Sequence, residues 1–529
     1  MAVNDRNSAS DYAEYAGPIR WVILVSVMLG TIMEVLDVSI VNVAIPDMMG
    51  NLGATLDQIG WVSTGYIIAN VIVLPLTGWL SARFGRRKYL AASMMLFTTA
   101  SFFCGTSRSL NELIFFRVLQ GTGGAALIST AQATLMEVFP PQQLGMIQGI
   151  YGIGVIVAPT VGPTLGGWIT DTYTWPWIFF VNIPIGIVAT TLVLLFLRDS
   201  RYHQAGRRKV DAVGIGFLAI GLGSLQTVLE RGNREDWFDS QMIVWLTVTA
   251  VVFLVLFVWW ELRTPEPAVN LHILRNRGFT AGTVFALAVG FGLYGGVFIL
   301  PVFLQDLRHY TAEQTGLIFL PGGLATMFVT PIVGRMVNRI PPRILAGVGA
   351  VLFAVSMYML HFLTMDTGPE HLFWPLVLRG AALGWIFIPL SLATLLGLAG
   401  RELAYGTGLF NLARQLGGSA GIAFLSTFLD RRTVLHNARL LEHITPYSAA
   451  ATIRIKALEA GFISRGSMPA IAHKQALAAI QGTVYGQASV MAFNDAFLVI
   501  CFAFLGVLPL LLFFNKGLPV GIRGGATMD

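Results

Sequence analysis

The sequence predicts an all-α polytopic membrane protein with fourteen transmembrane helices, in which two six-helix bundles flank two inserted helices. Three observations predict this fold class: the composition, the succession of apolar runs, and an internal repeat. Of the 529 residues, 55% are hydrophobic and 12% are charged, whereas a soluble domain carries about 25% charged residues. This composition excludes a soluble cytosolic or secreted protein and a nucleic-acid-binding domain.

The apolar runs supply the individual elements, because a helix that spans a bilayer needs about 20 mainly apolar residues. The first run is longer than a signal-peptide core and no small-residue cleavage pattern follows it, so we expect it to remain as span 1. Charged or Pro/Gly-rich segments separate the later runs. The predicted spans, in order, lie near 21–45, 58–80, 89–107, 112–134, 146–169, 176–197, 211–230, 241–260, 279–305, 313–334, 343–362, 372–395, 406–428 and 492–514.

The distribution of basic residues predicts the orientation, since short loops rich in Lys and Arg stay in the cytoplasm. If the N-terminal segment is cytoplasmic, the short outside loops hold only Arg108, Arg231, Arg234 and Arg308. The inside segments hold Arg6, Arg20, Arg83, Arg86, Arg87, Lys88, Arg198, Arg201, Arg207, Arg208, Lys209, Arg263, Arg275, Arg277, Arg335, Arg339, Arg343, Arg401, Lys516 and Arg523. We therefore expect both termini to be cytoplasmic, and the net charge of +6 needs no nucleic-acid partner.

An internal repeat with an offset of 256 residues predicts two copies of one unit. Two six-helix units in direct succession would be offset by only about 180 to 200 residues, so the surplus accommodates spans 7 and 8. The predicted organisation is a bundle at 1–200, two inserted spans at 201–275, and a second bundle at 276–529. The matched pairs are Thr55 and Thr311, Gln58 and Gln314, Gly60 and Gly316, Pro75 and Pro331, Gly78 and Gly334, Arg83 and Arg339, and Arg87 and Arg343.

Five motifs carry a resemblance to a known family. They are LDVSIVNVAIP at 36–46, GWLSARFGRR at 78–87, RVLQGTGG at 117–124, the Gly/Pro-rich segment at 154–167, and WIFFVNIPIG at 177–186. In this order they resemble the major facilitator superfamily, specifically its fourteen-helix drug:proton antiporter branch. The segment LFNLARQLGGS at 409–419 and the long loop after it are similar to EmrB-type multidrug efflux pumps.

The resemblance implies the function. It implies a proton-driven antiporter of the bacterial inner membrane that exports hydrophobic toxic compounds by alternating access, with the proton as coupling ion and no other cofactor. It also implies a periplasmic membrane-fusion adaptor as partner and, through it, an outer-membrane channel. One departure concerns the loop motif, where the family has an acid and this chain has Ala82, with Asn338 at the matching place of the repeat. A charge pairing often invoked for that motif is therefore not expected.

Few charged residues lie inside the spans, and each needs a partner or a task because its insertion costs at least about 2.5 to 3.5 kcal/mol. Asp37 lies roughly 12 Å and Arg117 roughly 8 Å from the outer ends of their spans, so an ion pair is possible. A carboxylate that alternates between Arg and a proton is a simple proton carrier. Glu34 is the rival carrier or a drug-contacting acid, and a static Asp37–Arg117 strut is the other alternative. The resemblance links the helix 1 acid and the helix 4 arginine with proton coupling.

Further residues are assigned to three roles. The polar residues assigned to the substrate pathway are Asn42, Gln120, Asn182, Arg379, Asn411 and Arg414. The residues expected to bend span 5, pack it closely and form the conformational switch are Gly154, Pro159, Gly162, Pro163, Gly166 and Gly167. The residues assigned to the cytoplasmic gating loop are Gly78, Arg83, Gly85, Arg86 and Arg87. Ordinary small-residue packing is the alternative reading of span 5.

A loop of about 60 residues at 429–490 is too long for a simple connector. Ser467 and Pro469 predict a helix start, and Leu477, Ile480 and Val484 recur at helical spacing after it. These three residues are assigned to adaptor docking, because the stripe has no predicted core of its own to cover. An inert, solvated insertion is the alternative.

Two other functional classes are alternatives to an efflux pump. A proton-coupled transporter specific for one metabolite or a fatty-acid-like substrate would share all the coupling residues. A membrane enzyme or receptor would need a catalytic cluster, but the sequence has no H-E-x-x-H motif, no phosphate-binding loop and no Cys/His set. The two cysteines, Cys104 and Cys501, lie in apolar runs and predict neither a disulfide nor a metal site.

Overall fold

A computed structural model describes residues 17–199, 210–398, 401–445 and 447–514. Within these ranges the ordered elements are all helices. The helices that correspond to the fourteen predicted spans are α1 (Ile19–Val43), α2 (Leu56–Phe84), α3 (Arg86–Thr106), α4 (Leu110–Val138), α5 (Pro141–Thr172), α6 (Trp177–Phe196), α7 (Ala212–Arg231), α8 (Gln241–Glu261), α9 (Arg277–Leu307), α10 (Ala312–Met336), α11 (Pro342–Leu360), α12 (Pro369–Leu395), α13 (Arg401–Leu441) and α14 (Pro469–Val507).

Twelve of the described helices are long and apolar enough to cross a membrane. A thirteenth span is α5, if its two segments, Pro141–Pro159 and Val161–Thr172, are counted together across a bend of 46°. The bend falls where the sequence predicts it, at the first of the two prolines that interrupt the backbone hydrogen bonds. The remaining predicted span lies within α13. The all-α polytopic fold class is therefore confirmed.

The predicted end of span 13 and the predicted start of span 14 are wrong. Helix α13 has 41 residues and continues to Leu441, and α14 has 39 residues and begins at Pro469. At 1.5 Å per residue each helix is about 60 Å long, twice the thickness of the hydrocarbon core. A short helix, Ala449–Ser464, connects them, so the predicted loop is a helical hairpin that projects beyond the membrane region. The helix start predicted from Ser467 and Pro469 is confirmed, since α14 begins at Pro469 with Met468 as its N-cap residue.

The packing of the helices forms two halves. Helices α1, α3, α4 and α6 pack together with α2 and α5, and α9, α11, α12 and α14 pack together with α10 and α13. The 256-residue repeat is visible in matching local geometry. Thr55 and Gln58 close a capping box at the start of α2, and Thr311 and Gln314 close the same box at the start of α10. The boundary predicted at 200–201 lies outside the described residues, and the division into domains stays a prediction.

The two halves meet along two equivalent pairs of helices, α2 with α13 and α5 with α10. At the ends predicted to be cytoplasmic, both contacts lack intervening side chains. A Cβ on Gly78 of α2 would lie 2.7 Å from the backbone nitrogen of Tyr405. A Cβ on Gly334 of α10 would lie 2.5 Å from the carbonyl oxygen of Gly145. This end of the molecule is closed in the structure.

The inserted helices α7 and α8 pack against each other at the edge of the molecule, with α7 also against α2 and α13. Gln226 Nε2 donates to Ser419 Oγ over 2.7 Å and links α7 to the second half. Helix α8 exposes most of its apolar surface, as a lipid-facing helix does. Both termini lie outside the described residues. The same holds for seven of the residues predicted to lie inside, namely Arg6, Arg201, Arg207, Arg208, Lys209, Lys516 and Arg523.

Candidate substrate and proton site

The centre of the first half is an ion pair between α1 and α4. Arg117 Nη1 donates to Asp37 Oδ2 over 2.5 Å, and the two residues are 1% and 0% exposed. Gln120 Nε2 and Asn182 Nδ2 donate to the other oxygen, Asp37 Oδ1, over 2.8 and 2.9 Å. The contact that the sequence allows between Asp37 and Arg117 is therefore present, and Asp37 is fully hydrogen-bonded. Its role in proton coupling stays a prediction.

The guanidinium of Arg117 is held from all sides. Its Nε donates to the carbonyl oxygen of Val62 over 3.1 Å, and its Nη1 also donates to Gln120 Oε1 over 2.6 Å. The ring of Tyr66 lies under it, with the ring centroid 4.2 Å from Cζ. A charged group in a low-dielectric interior is tolerated when its hydrogen bonds are satisfied in this way.

Glu34 lies one turn before Asp37 on α1 and is also buried, but its carboxylate is only half satisfied. Its Oε1 accepts hydrogen bonds from Asn70 Nδ2 over 3.2 Å and from the Tyr66 hydroxyl over 3.4 Å. Its Oε2 is buried with no hydrogen-bond partner among the described residues. A buried carboxylate oxygen without a partner has room for a proton or a donor from a substrate.

A polar bridge joins the two halves near Glu34. Asn411 Nδ2 on α13 donates to Gln132 Oε1 on α4 over 2.9 Å. Arg414, one turn further along α13, donates through Nη2 to Asn411 Oδ1 over 3.2 Å, and its positive charge acts on the Glu34 carboxylate. Its Nε is buried without a hydrogen-bond partner within the described part of the chain. The buried cation of Arg414 therefore lies in the second half and the buried carboxylate of Glu34 in the first.

The six residues assigned to the substrate pathway thus fall in four places. Gln120 and Asn182 are ligands of Asp37, and Asn411 and Arg414 belong to the polar bridge. Arg379 on α12 lies in the second half away from both clusters, with the ring centroid of Phe319 4.9 Å from its Cζ. Asn42 is exposed at the end of α1, where its Oδ1 accepts a hydrogen bond from Ser63.

The glycines assigned to the switch in α5 pack against α1 of the same half. A Cβ on Gly162 would overlap Oγ of Ser39, and one on Gly166 would lie 2.8 Å from Cγ1 of Ile40. Gly154 likewise faces Ile32 on α1, with Cγ1 at 3.2 Å. Other glycines of α5, namely Gly145, Gly149 and Gly152, face the second half; of these, the sequence predicts close packing for Gly152 and not for Gly145 and Gly149.

The gating loop between α2 and α3 contacts acids from distant parts of the chain. Gly85 turns the chain at a φ of +85°, a conformation that favours glycine. Both Nη atoms of Arg86 donate to the carboxylate of Glu137 at the end of α4. The backbone nitrogen of Arg87 donates to Asp199 Oδ1 over 2.9 Å. Glu137 and Asp199 thus supply the negative charge that Ala82 does not, and their distance along the chain hid them from motif analysis.

The stripe assigned to adaptor docking is partly covered within the chain. Leu477 is 44% exposed, Ile480 is half-buried, and Val484 is 8% exposed. The expectation that the stripe covers nothing of its own is therefore wrong for Val484, because helix α14 packs against α13, α11 and the helix Ala449–Ser464. Other apolar side chains of the hairpin are more exposed, namely Tyr447, Ile453, Met468 and Ile471.

The sequence profile of the Major Facilitator Superfamily matches residues 27–422, most of the chain. The chain belongs to the major facilitator superfamily. Among solved structures, the human organic anion transporter MFSD10 (TETRAN) superposes with a TM-score of 0.58 at 14% identity. The match covers 92% of this chain and 100% of that one. This likeness confirms the fold.

Two relatives indicate the group of transporters within the superfamily that this chain resembles. The chain is 38% identical over 508 residues to the "Multidrug export protein EmrB" of Escherichia coli (strain K12), covering 95% of this chain and 96% of that protein. It is 37% identical over 502 residues to the "Fatty acid resistance protein FarB" of Neisseria gonorrhoeae, covering 94% and 97%. The resemblance to EmrB-type multidrug efflux pumps is confirmed. The chain is a polytopic membrane transporter of the multidrug efflux type, which argues against the enzyme alternative.

Proposed function

We propose that this member of the superfamily is a proton-driven antiporter that exports hydrophobic toxic compounds across the inner membrane by alternating access. The observation that supports it best is the placement of Glu34 and Arg414. The carboxylate is in the first half and the guanidinium in the second, both are buried, and each keeps one atom without a hydrogen-bond partner among the described residues. Protonation of Glu34 is then linked to the separation of the halves.

The linkage follows from electrostatics. A nearby cation favours the ionised carboxylate, and its withdrawal in a low-dielectric interior favours the protonated form. When the halves rock, Arg414 moves relative to Glu34, so each conformation prefers one protonation state. This is the coupling that alternating access requires, because a proton taken up in one conformation is released in the other.

Asp37 has a different relation to that motion. Its partners Arg117, Gln120 and Asn182 all lie in the first half, on α4 and α6. A rocking movement carries them together, so the ion pair stays formed while Arg414 moves. We therefore propose that Glu34 is the carrier, and that Asp37 with Arg117 positions α1 and relays the proton.

We also propose that the hairpin formed by the ends of α13 and α14 docks a periplasmic adaptor, which leads to an outer-membrane channel. The hairpin carries exposed apolar side chains, including Tyr447, which is 97% exposed, and Met468, which is 71% exposed. Exposed apolar groups clustered on a projecting element are typical of an interaction site. The predicted orientation places this hairpin on the periplasmic side.

Purified protein in liposomes tests the proposed antiport. A pH gradient should drive accumulation of several unrelated hydrophobic compounds, and addition of substrate without a gradient should release protons. A transporter for a single compound class is the second candidate, favoured by the likeness to a protein named for fatty acid resistance. Transport confined to fatty acids in a broad panel would favour that candidate, and absence of any proton-linked transport would refute antiport.

A further inference from the structure

Away from the helix ends, the described residues include three buried arginines inside the membrane helices, and their surroundings differ. Arg117 is paired with Asp37, and Arg414 lies within electrostatic reach of Glu34. Arg379 on α12 is 7% exposed and has no carboxylate partner in the described ranges. Its only hydrogen bond there is a long one, 3.4 Å from Nη1 to the carbonyl oxygen of Gly296 on α9. A guanidinium has five N–H donors, so most of this group is unsatisfied.

The internal repeat shows that Arg379 lacks the carboxylate partner that its counterpart in the first half has. Gly121 of α4 packs against the backbone of Tyr66 on α2, and Gly380 of α12 packs in the same way against the backbone of Gly322 on α10. Gln120 and Arg379 precede these two glycines and are therefore counterparts. Gln120 donates to the carboxylate of Asp37. Gln120 and Arg379 are 259 residues apart, and at this same offset the counterpart of Asp37 is Gly296, so the second half has a donor in place without its carboxylate.

The space beside Arg379 remains open on one side. A Cβ added to Gly296 would have the Arg379 Nη1 atom, at 3.9 Å, as its only near neighbour. The ring of Phe319 on α10 forms an apolar wall against the guanidinium, with its centroid 4.9 Å from Cζ. A cation next to an apolar wall, in a membrane interior, matches a molecule that carries a carboxylate on an apolar body.

We propose that Arg379 forms an anion subsite of the transport pathway, bounded by Gly296 and Phe319, that binds the carboxylate of amphipathic, fatty-acid-like substrates. The proposal rests on the proposed function, since it assumes a transported substrate. It adds a charge preference and a residue that determines it. Binding of the carboxylate completes in the second half the arrangement that Asp37 completes in the first.

The test compares two probes of similar apolar size and opposite charge, laurate and tetraphenylphosphonium. Binding to the purified full chain in detergent is measured for the wild type, Arg379→Gln, which copies the counterpart Gln120, and Arg379→Lys. Arg335→Gln, at an exposed position on α10, is the control for loss of one positive charge. We expect Arg379→Gln to raise the Kd of laurate about tenfold or more, as loss of a charge-assisted hydrogen bond does. The Kd of tetraphenylphosphonium should stay unchanged, and Arg379→Lys should lie between.

Several outcomes would overturn the proposal. Equal changes for both probes, or no change for laurate, would show that Arg379 has only a structural role. Competition between phosphatidylglycerol and laurate that Arg379→Gln abolishes would show that the bound anion is a lipid headgroup instead of a substrate. Because these measurements read binding alone, they remain decisive if the wild type shows no proton-driven transport, a result that would refute the proposed antiport separately.

Discussion

Gly145 of α5 and Gly334 of α10 meet backbone to backbone, and a Cβ on Gly334 would lie 2.5 Å from the carbonyl oxygen of Gly145. These glycines belong to different halves, 189 residues apart in the sequence. Asn338, just beyond the end of α10, donates through Nδ2 to the carbonyl oxygen of Gln142 over 2.9 Å. Closure at this end therefore depends on the absence of side chains at two positions.

Gly334→Val should hold this end open, because its methyl groups cannot fit against the Gly145 backbone. We expect proton-driven export in liposomes to fall at least about tenfold, corresponding to about 1.4 kcal/mol against the closed state. Gly323→Val is the matched control on the same helix, since a Cβ there meets nothing within 4 Å. Equal transport by both variants would contradict the proposed closure.

Gly162→Leu should displace α1 from α5, because a side chain at 162 would overlap Ser39. We expect destabilisation of about 1 to 3 kcal/mol from overpacking and loss of transport, since Glu34 and Asp37 lie on the displaced helix. Thermal unfolding and transport are measured together. Gly167→Ala is the control, with Val43 at 3.8 Å from the added Cβ. Unchanged turnover in Gly162→Leu would remove the argument for this contact.

Glu34→Gln should separate transport from the proton gradient, because the amide cannot alternate between a proton and Arg414. We expect exchange of substrate between the two sides of the liposome membrane to persist and substrate-induced proton release to disappear. Glu34→Asp keeps the titratable group and should retain part of the release. Normal proton release from Glu34→Gln would transfer the carrier role to another residue.

Asp37→Asn should weaken the α1–α4 contact, because it leaves the buried Arg117 without a counter-charge. Breaking a buried pair on one side costs about 3 to 5 kcal/mol, so we expect a marked fall in thermal stability together with reduced transport. Arg117→Lys retains the charge and loses the bond from Nε to Val62, and it should be affected less. If Asp37→Asn were fully stable and only proton release were lost, Asp37 itself would be the carrier.

Replacing the short helix Ala449–Ser464 with a Gly/Ser linker should remove part of the proposed docking hairpin and leave α13 and α14 in place. We expect transport by the isolated protein in liposomes to be retained and resistance of whole cells to be lost, since export across the outer membrane needs the adaptor. Full cellular resistance would exclude a docking role, and equal loss in both assays would assign the segment to transport or folding.

The sequence predicted the elements that depend on composition and local pattern. Apolar runs of sufficient length determine membrane helices, because unpaired backbone groups are too costly in lipid. The repeat predicted that Thr55 and Thr311 hold equivalent places, since a capping box needs only residues three apart. The bend of α5 at Pro159 was also predictable, because a proline interrupts the backbone hydrogen bonds of its own helix.

Tertiary structure decided what depends on contacts between distant segments. Local patterns do not show that Arg86 pairs with Glu137 or that Arg87 donates to Asp199. Nor do they show that Arg379 lacks a carboxylate partner among the described residues. Each of these features depends on which segments are neighbours in the fold. The sequence did not show that α13 and α14 continue into the segment at 429–490, since hydropathy marks where a helix leaves the membrane and not where it ends. Only the packing of the two halves brings Arg414 of α13 within electrostatic range of Glu34 on α1, because the fold and not the spacing along the chain decides which helices are neighbours.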